Sequence, residues 1–405
     1  MNANSRCLCL IFSTLLASFA SGALKWHYPS SWAELDSEAT PRWVIAYPEK
    51  LAANLKPLME LRSQQGYTVK HLPGANAAAI RQVVSNLNLG HRKRDGLVVV
   101  GKRSSHPGAE GRYHRMVGIP SDSRLAMRGS DCTPLFPVGR IPADTIEKAD
   151  LLIRRILAFE HSWSSRITNR NGILLIGNPA SSKRVPAADM LVSTLTGQLL
   201  GMAHGSWKTS GAADVPGHPF ACTPQVFPTK FRAELAQPYD VGGYFGHSHA
   251  YMLCRADGGV GTLEGHIRRS FRSRSWKTLS ASDQRGLFVS CGCYCLQKDN
   301  AVGYQSVLAK GGPIAFIGAT GESHAAIGYL ASKGLVGLMT EHPPKTAGEW
   351  FVGIQKAIAT GELNGPHFFA FDQFDGSKGT LSLLEQRKEH LEMWMLVGDP
   401  ATRLF

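Results

Sequence analysis

Acidic side chains are scarce in this 405-residue chain: 31 Asp and Glu stand against 44 Lys and Arg, a formal net charge of +13. That balance excludes an acidic solvating protein and keeps anionic partners in view. Charge of either sign is thin, 19% of residues against 43% hydrophobic, which excludes a disordered polyelectrolyte and leaves apolar material for a sizeable core. Long apolar runs are missing too. Residues 7–20 are mostly apolar, but this stretch includes Ser and Thr and is short for crossing a bilayer. With Arg6 before it and Ser21-Gly22-Ala23 after it, it reads as an export signal covering residues 1–23, a membrane anchor being the competing reading. Cleavage removes only Arg6 among the charged residues and leaves +12. The mature protein is then expected to be secreted, periplasmic or in the cell envelope, without a transmembrane anchor.

Cysteine is sparse as well. Of eight, Cys7 and Cys9 leave with the signal, Cys132, Cys222 and Cys254 are scattered, and Cys291, Cys293 and Cys295 alternate. A disulfide-framed small domain is excluded by size. Zinc sites need Cys pairs two to four residues apart plus distant ligands. Here the thiols are separated by single residues, as are His247 and His249, so no metal site and no cofactor is expected. A compact loop with Asp at alternate positions and a terminal Glu is also lacking, so structural calcium has no support in the sequence. The basic excess is partly local, in His91-Arg92-Lys93-Arg94 and in Arg268, Arg269, Arg272, Arg274 and Lys277 around Phe271 and Trp276. Basic residues interleaved with aromatics can hold nucleic acid or an anionic envelope polymer. No nucleic-acid motif accompanies them, so a solvated surface loop is the expectation and nucleic acid is not an expected partner.

What the chain does have is an alternation of short apolar strands and amphipathic helices. Trp43-Val44-Ile45-Ala46-Tyr47 feeds a helix with Leu51, Leu55, Leu58 and Met59 on one face, closed by Gly66. Residues 67–72 repeat the strand and 76–89 the helix, and Gly96-Leu97-Val98-Val99-Val100-Gly101 is the fully apolar kind of strand buried in parallel sheets. After Val138-Gly139-Arg140-Ile141, Asp144 is placed to cap a helix carrying Ile146, Ala149, Ile153, Ile156 and Leu157. Beyond a polar connection at 162–171, strands follow at 172–177, 241–246, 287–289 and 314–318. The expected fold class is α/β, two adjacent three-layer subdomains with mainly parallel sheets over residues 24–168 and 169–405.

Sites in open parallel sheets lie outside the carboxyl ends of the strands. His247, Cys293 and the loop Gly318-Ala319-Thr320-Gly321-Glu322 each follow such an end. Taken singly, His247 reads as a satisfied structural histidine and Cys293 as an inert buried thiol. Together, on neighbouring strand tips, they make a Cys/His dyad. Extended-chain alternation puts Cys291 and Cys295 on the same side as Cys293, so Cys291 is a rival nucleophile and His249 a rival base. Gly292 before the thiol favours Cys293, and Gly246 favours His247.

At these residues the chain resembles the gingipain-type cysteine peptidases, peptidase family C25, of the clan that includes caspases and legumains. Gly243-Tyr244-Phe245-Gly246-His247-Ser248 is similar to the family's strand ending in Gly-His-Gly, and Gly292-Cys293 to its strand ending in a small residue and the nucleophile. Further likenesses are Val138-Gly139-Arg140-Ile141-Pro142-Ala143, Leu396-Val397-Gly398-Asp399-Pro400 and Val44-Ile45-Ala46-Tyr47-Pro48-Glu49-Lys50, so the resemblance covers nearly the whole mature chain. It implies a caspase/gingipain-like fold and a cysteine endopeptidase acting on protein or peptide. Cys293 would attack the carbonyl, and His247 would take the thiol proton and return it to the leaving amine. The main-chain amides of Ser248 and Cys293 would hold the oxyanion.

The chain departs from the family's pattern in Ser248, where Gly is usual, and in Cys295, where Gly is common two positions after the nucleophile. A third, orienting carboxylate is left between Asp240 and Glu110. Asp131 and Glu322 are the acids placed to favour a basic P1 side chain by charge pairing. Relatives often bind calcium structurally and carry further domains after the catalytic part, whereas this chain stops five residues past Pro400 and is expected to be a catalytic domain alone. Two other classes stay in view. One is an inactive member of the fold that binds peptide or an anionic envelope polymer, and the other is an unrelated basic exported binding protein.

Overall fold

A computed structural model describes residues 39–92, 94–103, 110–111, 119–127, 132–162, 170–177, 207–213, 218–223, 226–253, 271–341, 343–364, 368 and 380–404. The apolar runs become strands: β1 (Arg42–Tyr47), β2 (Thr68–Pro73), β3 (Gly96–Val100), a short antiparallel pair β4 (Glu110–Gly111) and β5 (Ile119–Pro120), β6 (Val138–Ile141), β7 (Asn171–Gly177), β8 (Lys208–Ala213) and β9 (Tyr239–Gly246). After them come β10 (Ser248–His249), β11 (Met252–Leu253), β12 (Phe271–Arg272), β13 (Arg285–Ser290), β14 (Ala315–Ala319) and β15 (Trp394–Val397). The described helices are α1 (Ala52–Gln64), α2 (Ala77–Asn86), α3 (Ile146–His161), α4 (Phe227–Leu235), α5 (Val302–Leu308), α6 (Ala325–Thr340), α7 (Ala347–Thr360) and α8 (Leu383–Met393).

Ten strands make one sheet in the order β2-β1-β3-β6-β15-β14-β13-β9-β7-β8. Every neighbouring pair is parallel except β14–β15. The sheet is therefore two parallel blocks of five strands running in opposite directions, fused at one antiparallel seam. Residues 42–141 supply four strands of the first block and residues 171–319 all of the second, while β15 returns from the far end of the chain to complete the first. The two subdomains expected over residues 24–168 and 169–405 share this one sheet, and β15, from the second range, sits in the first block.

Strict alternation builds the layers. In the first block Val44, Ala46, Leu97, Val99 and Val138 pack with Ile80 and Val84 of α2, while Trp43, Ile45, Val98, Val100 and Ile141 pack with α1 and α3. In the second, Leu174, Val241, Leu287, Val289 and Ile317 meet α6, α7 and α8, and Leu175, Tyr244, Phe288 and Phe316 meet α4 and α5. Trp276, grouped by sequence with a basic surface cluster, is instead fully buried and edge-on to Phe288 at 5.7 Å. Of that cluster, Arg268 and Arg269 lie outside the described residues.

The cap of α3 is Thr145, not Asp144, because the helix starts at Ile146 and the residue just before it takes the Lys148 N–H at 3.4 Å. Asp144 instead holds the Lys102 and Lys148 ammonium groups, each at 2.6 Å. Burial works against its charge, but those two hydrogen bonds outweigh it and bring the carboxyl down to about 2.

Two of the sequence landmarks hold the seam. Arg140 forks onto Asp122 through Nε and Nη2, each at 2.6 Å, and gives Nη1 to the Gly101 carbonyl. A side chain at Gly139 would overlap the Gly398 carbonyl and lie 2.6 Å from Pro400 Cδ. Asp399 accepts from Trp43 Nε1 at 3.0 Å and Arg62 Nε at 2.8 Å, and Arg62 also forks onto Glu160. All three ionised groups are buried, so each depends on the others.

Candidate active site

β9 and β13 lie side by side, with Leu287 opposite Val241 and Ser290 opposite Tyr244. The Cys291 N–H carries the ladder one step further, donating to the Tyr244 carbonyl at 2.9 Å. Beyond the ladder the two turns stay together, the Ser248 hydroxyl donating to the Cys293 carbonyl at 2.5 Å, with His247 one residue past β9 and Cys293 three past β13. Both residues stand at the carboxyl ends of adjacent parallel strands, where the crevices of such sheets form.

The three thiols do not share a side, because β13 ends at Ser290 and the chain turns there, with Tyr294 at φ 57°. Cys291 continues the face of Leu287 and Val289, its thiol against Ser332 of α6, and burial pushes that thiol up. Cys295 is fully buried on the opposite face, with Ser248 Oγ and Ser290 Oγ each 3.1 Å from its sulfur, and burial pushes it up too. Cys293 occupies the turn between them and is half-buried. Its sulfur accepts the Ser323 N–H at 3.3 Å, and its S–H is placed to donate to the Ser323 carbonyl at 3.8 Å.

Gly292 allows the two tips to meet. A Cβ there would lie 2.7 Å from Ser248 Cβ and 3.0 Å from the Gly246 carbonyl. Into the notch that Gly292 leaves, Ser248 sends its hydroxyl, which donates to the Cys293 carbonyl at 2.5 Å. The next amide, Tyr294 N–H, donates to the Gly321 carbonyl at 2.7 Å. The peptide unit after Cys293 is thus fixed at both ends. Ser248, a departure from the family's usual Gly, serves here as a tie between the His-bearing and Cys-bearing turns.

His247 follows Gly246, where a Cβ would lie 2.8 Å from Tyr244 Oη, and that hydroxyl donates to the His247 carbonyl at 2.5 Å. The rival His249 is exposed on β10, in a short antiparallel sheet of β10, β11 and β12, with its ring 5.9 Å from Tyr251 and 6.3 Å from Tyr294. Asp240 is not placed to orient His247. It lies at the opposite end of β9, seven residues or about 23 Å away along an extended strand, and accepts the Asn171 N–H at 3.0 Å. The Glu110 side chain and Asp131 lie outside the described residues.

Glu322, in contrast, stands beside the Cys293 turn, exposed, one residue before the amide that meets the Cys293 sulfur. Tyr294 hydrogen-bonds its carboxylate, and burial together with the charges of Glu322 and Cys293 pushes that phenol up to about 12.

Sequence reasoning missed the support behind this loop. His324 Nε2 meets Glu389 Oε2 at 2.8 Å, and the His324 N–H donates to His390 Nε2 at 3.2 Å. The Thr320 N–H and hydroxyl both donate to the Met393 carbonyl, at 3.0 and 3.1 Å. The capping pattern Ser382-x-x-Glu385 marks the start of α8 in the sequence, but nothing in it points to a loop some sixty residues away. Among the described residues no group of three or more His, Cys, Asp and Glu is gathered to hold a metal ion.

A thiol past one strand tip, a histidine past the next and an exposed Glu322 beside them thus share the carboxyl end of the sheet. Residues 36–405 match the family model of peptidase family C25. The chain belongs to that family. It is a cysteine-type peptidase, a hydrolase acting on proteins. No curated protein matches it. Solved structures show the same fold. One, described as a protease, has a TM-score of 0.63 at 16% identity, over 90% of this chain and 79% of its own. The Arg-specific cysteine proteinase gingipain R has 0.62 at 17%, over 91% and 79%. The complex of the RgpB pro- and mature domains from Porphyromonas gingivalis has 0.58 at 17%, over 89% and 79%. Among the described residues no helix of this C25 peptidase is long and apolar enough to cross a membrane.

Proposed function

We propose that this peptidase is an exported endopeptidase that cleaves with Cys293 as nucleophile and His247 as general base. The carrying observation is that the Cys291 thiol turns to Ser332 and the buried Cys295 thiol to Ser248 and Ser290, while Cys293 lies on the turn that Ser248 ties to His247's own and is hydrogen-bonded by Ser323. His247 takes the thiol proton, the thiolate adds to the peptide carbonyl, and imidazolium returns the proton to the departing amine. The main-chain amides of Cys293 and Ser248 receive the oxyanion. Water, deprotonated by His247, then releases the acyl group. No cofactor enters these steps.

Glu322, braced by Tyr294, favours a basic side chain before the cut bond through a charge-assisted contact. The export segment 1–23 and the basic balance of the chain suit work against an anionic envelope surface. Labelling with an arginyl or lysyl chloromethyl ketone tests the reading. Wild type and Cys291→Ala are expected to label and Cys293→Ala to stay unlabelled, with Glu322→Gln losing about tenfold in rate against the basic probes only. Equal labelling of Cys293→Ala, or its loss in Cys291→Ala, would overturn the choice of nucleophile.

A further inference from the structure

The Cys293 sulfur is held by a main-chain amide whose position is fixed from the far side by α8. Ser323 is the residue two before α6, a 16-residue helix, and its N–H points at the sulfur at 3.3 Å. Its hydroxyl donates to the Gly292 carbonyl at 3.3 Å, so the same residue grips the turn twice. Directly after it, His324 is the N-cap of α6, with no side-chain capping bond of its own. Its side chain turns instead to Glu389, and its N–H to His390. His390 is fully buried. Its Nε2 accepts from His324, which leaves the ring proton on Nδ1, donated to the Gln386 carbonyl at 3.3 Å.

We propose that Glu389 and His390 are positioning residues for the nucleophile, holding His324 so that the Ser323 amide and the amino end of α6 stabilise the Cys293 thiolate. The inference rests on the assignment of Cys293 as nucleophile. An N–H donor and the positive end of a helix both favour an anion over a neutral thiol, and they do so only while the amide stays aimed at the sulfur. The titratable groups on the turns beside that sulfur include His247, Tyr294 and Glu322, and Tyr294 feels the charges of both Glu322 and Cys293. Burial, and next the charge of His324, push His390 well below the ordinary imidazole range, so it remains the neutral acceptor that the bond requires.

The pH dependence of iodoacetamide alkylation at Cys293, read by mass spectrometry on the whole protein, tests this independently of peptide hydrolysis. Loss of one well-aimed donor to a thiolate raises the alkylation midpoint by about one pH unit, roughly tenfold less thiolate at neutral pH. His390→Leu, which removes the acceptor, is expected to show that rise with a matching fall in kcat/KM. His390→Gln, which restores an acceptor at the same reach, is expected to return both toward wild type. Glu389→Ala, at a partly buried side chain, removes the other acceptor and gives the same reading where the Leu variant does not fold. An unchanged midpoint in folded Glu389→Ala and His390→Leu would overturn the proposal and leave the pair a structural one. A shifted midpoint in a protein that hydrolyses no peptide would support it while sinking the catalytic assignment.

Discussion

Gly292→Ala probes the contact on which the whole site depends. The new Cβ would lie 2.7 Å from Ser248 Cβ and 3.0 Å from the Gly246 carbonyl oxygen. Rotating the Ser248 hydroxyl relieves nothing at its Cβ, so the turns must part by about 0.7 Å to reach an ordinary 3.4 Å contact. Misplacing a reacting group by about 1 Å costs on the order of 10²-fold in rate, and 0.7 Å is expected to cost roughly 10- to 100-fold, or about 1.4–2.7 kcal/mol of barrier. Removing the Ser248 side chain should restore much of this. In Gly292→Ala/Ser248→Gly only the Gly246 carbonyl is left too close, short by about 0.4 Å, while the hydroxyl's bond to the Cys293 carbonyl is lost at about 1 kcal/mol. The double variant is therefore expected within about tenfold of wild type. The assay is kcat/KM on a fluorogenic peptide, paired with the second-order rate of alkylation at Cys293. Full activity in Gly292→Ala, or a double variant no better than the single, would refute the abutting of the two tips.

Other perturbations read other parts of the molecule. Cys291→Ala is expected to keep kcat/KM within a few-fold, because its thiol packs under α6 away from the turn. Asp399→Ala leaves Arg62 with Glu160 as its remaining acidic partner and Trp43 Nε1 without its acceptor, and should destabilise by about 3 kcal/mol in chemical denaturation, with activity per folded molecule nearly unchanged. His390 sets an acid limit on stability. Its folded pKa lies well below 6.5, so as pH falls through the unfolded value the unfolded chain takes up a proton that the fold refuses. Stability then drops by up to about 1.4 kcal/mol per pH unit below about 6.5, and His390→Gln is expected to lack that component in urea titrations at pH 5 and 7.

The alternation of apolar runs was legible, and so were the central strands such as β1, β3, β7 and β13, because each is buried on both faces and needs no partner in the sequence to be recognised. Lys208–Ala213 was not: β8 is an edge strand, Lys-Thr-Ser-Gly-Ala-Ala, with little apolar signal. Gly246 and Gly292 were legible as the glycines before His247 and Cys293, and the close approach of Ser248 at Gly292 and of Tyr244 at Gly246 gives each its reason. The expectation that alternation puts Cys291, Cys293 and Cys295 on one side failed, since alternation ends with the strand at Ser290 and the turn after it sends the thiols apart. Asp240 looked suitable only because a sequence lists His247 and Asp240 as neighbours while a strand sets them at opposite ends of the sheet.

The landmarks far from the thiol gain their meaning from the seam. β15 is the one strand that runs against its β14 neighbour, and it can lie there only because Gly139 lets the Gly398 carbonyl approach. Asp399, just past that strand, binds Trp43 of β1 and Arg62 of α1, which locks the first block to the end of the chain. Just ahead of the strand, α8 and Met393 bind His324 and Thr320 in the loop that meets the Cys293 sulfur. Residues 382–399 therefore close the sheet and fix the amide donor to the Cys293 sulfur at once. A chain in which this segment has not docked would carry both Cys293 and His247 on formed strands and still lack the Ser323 amide in place, so completion of the fold and readiness of the thiolate are expected to arrive together.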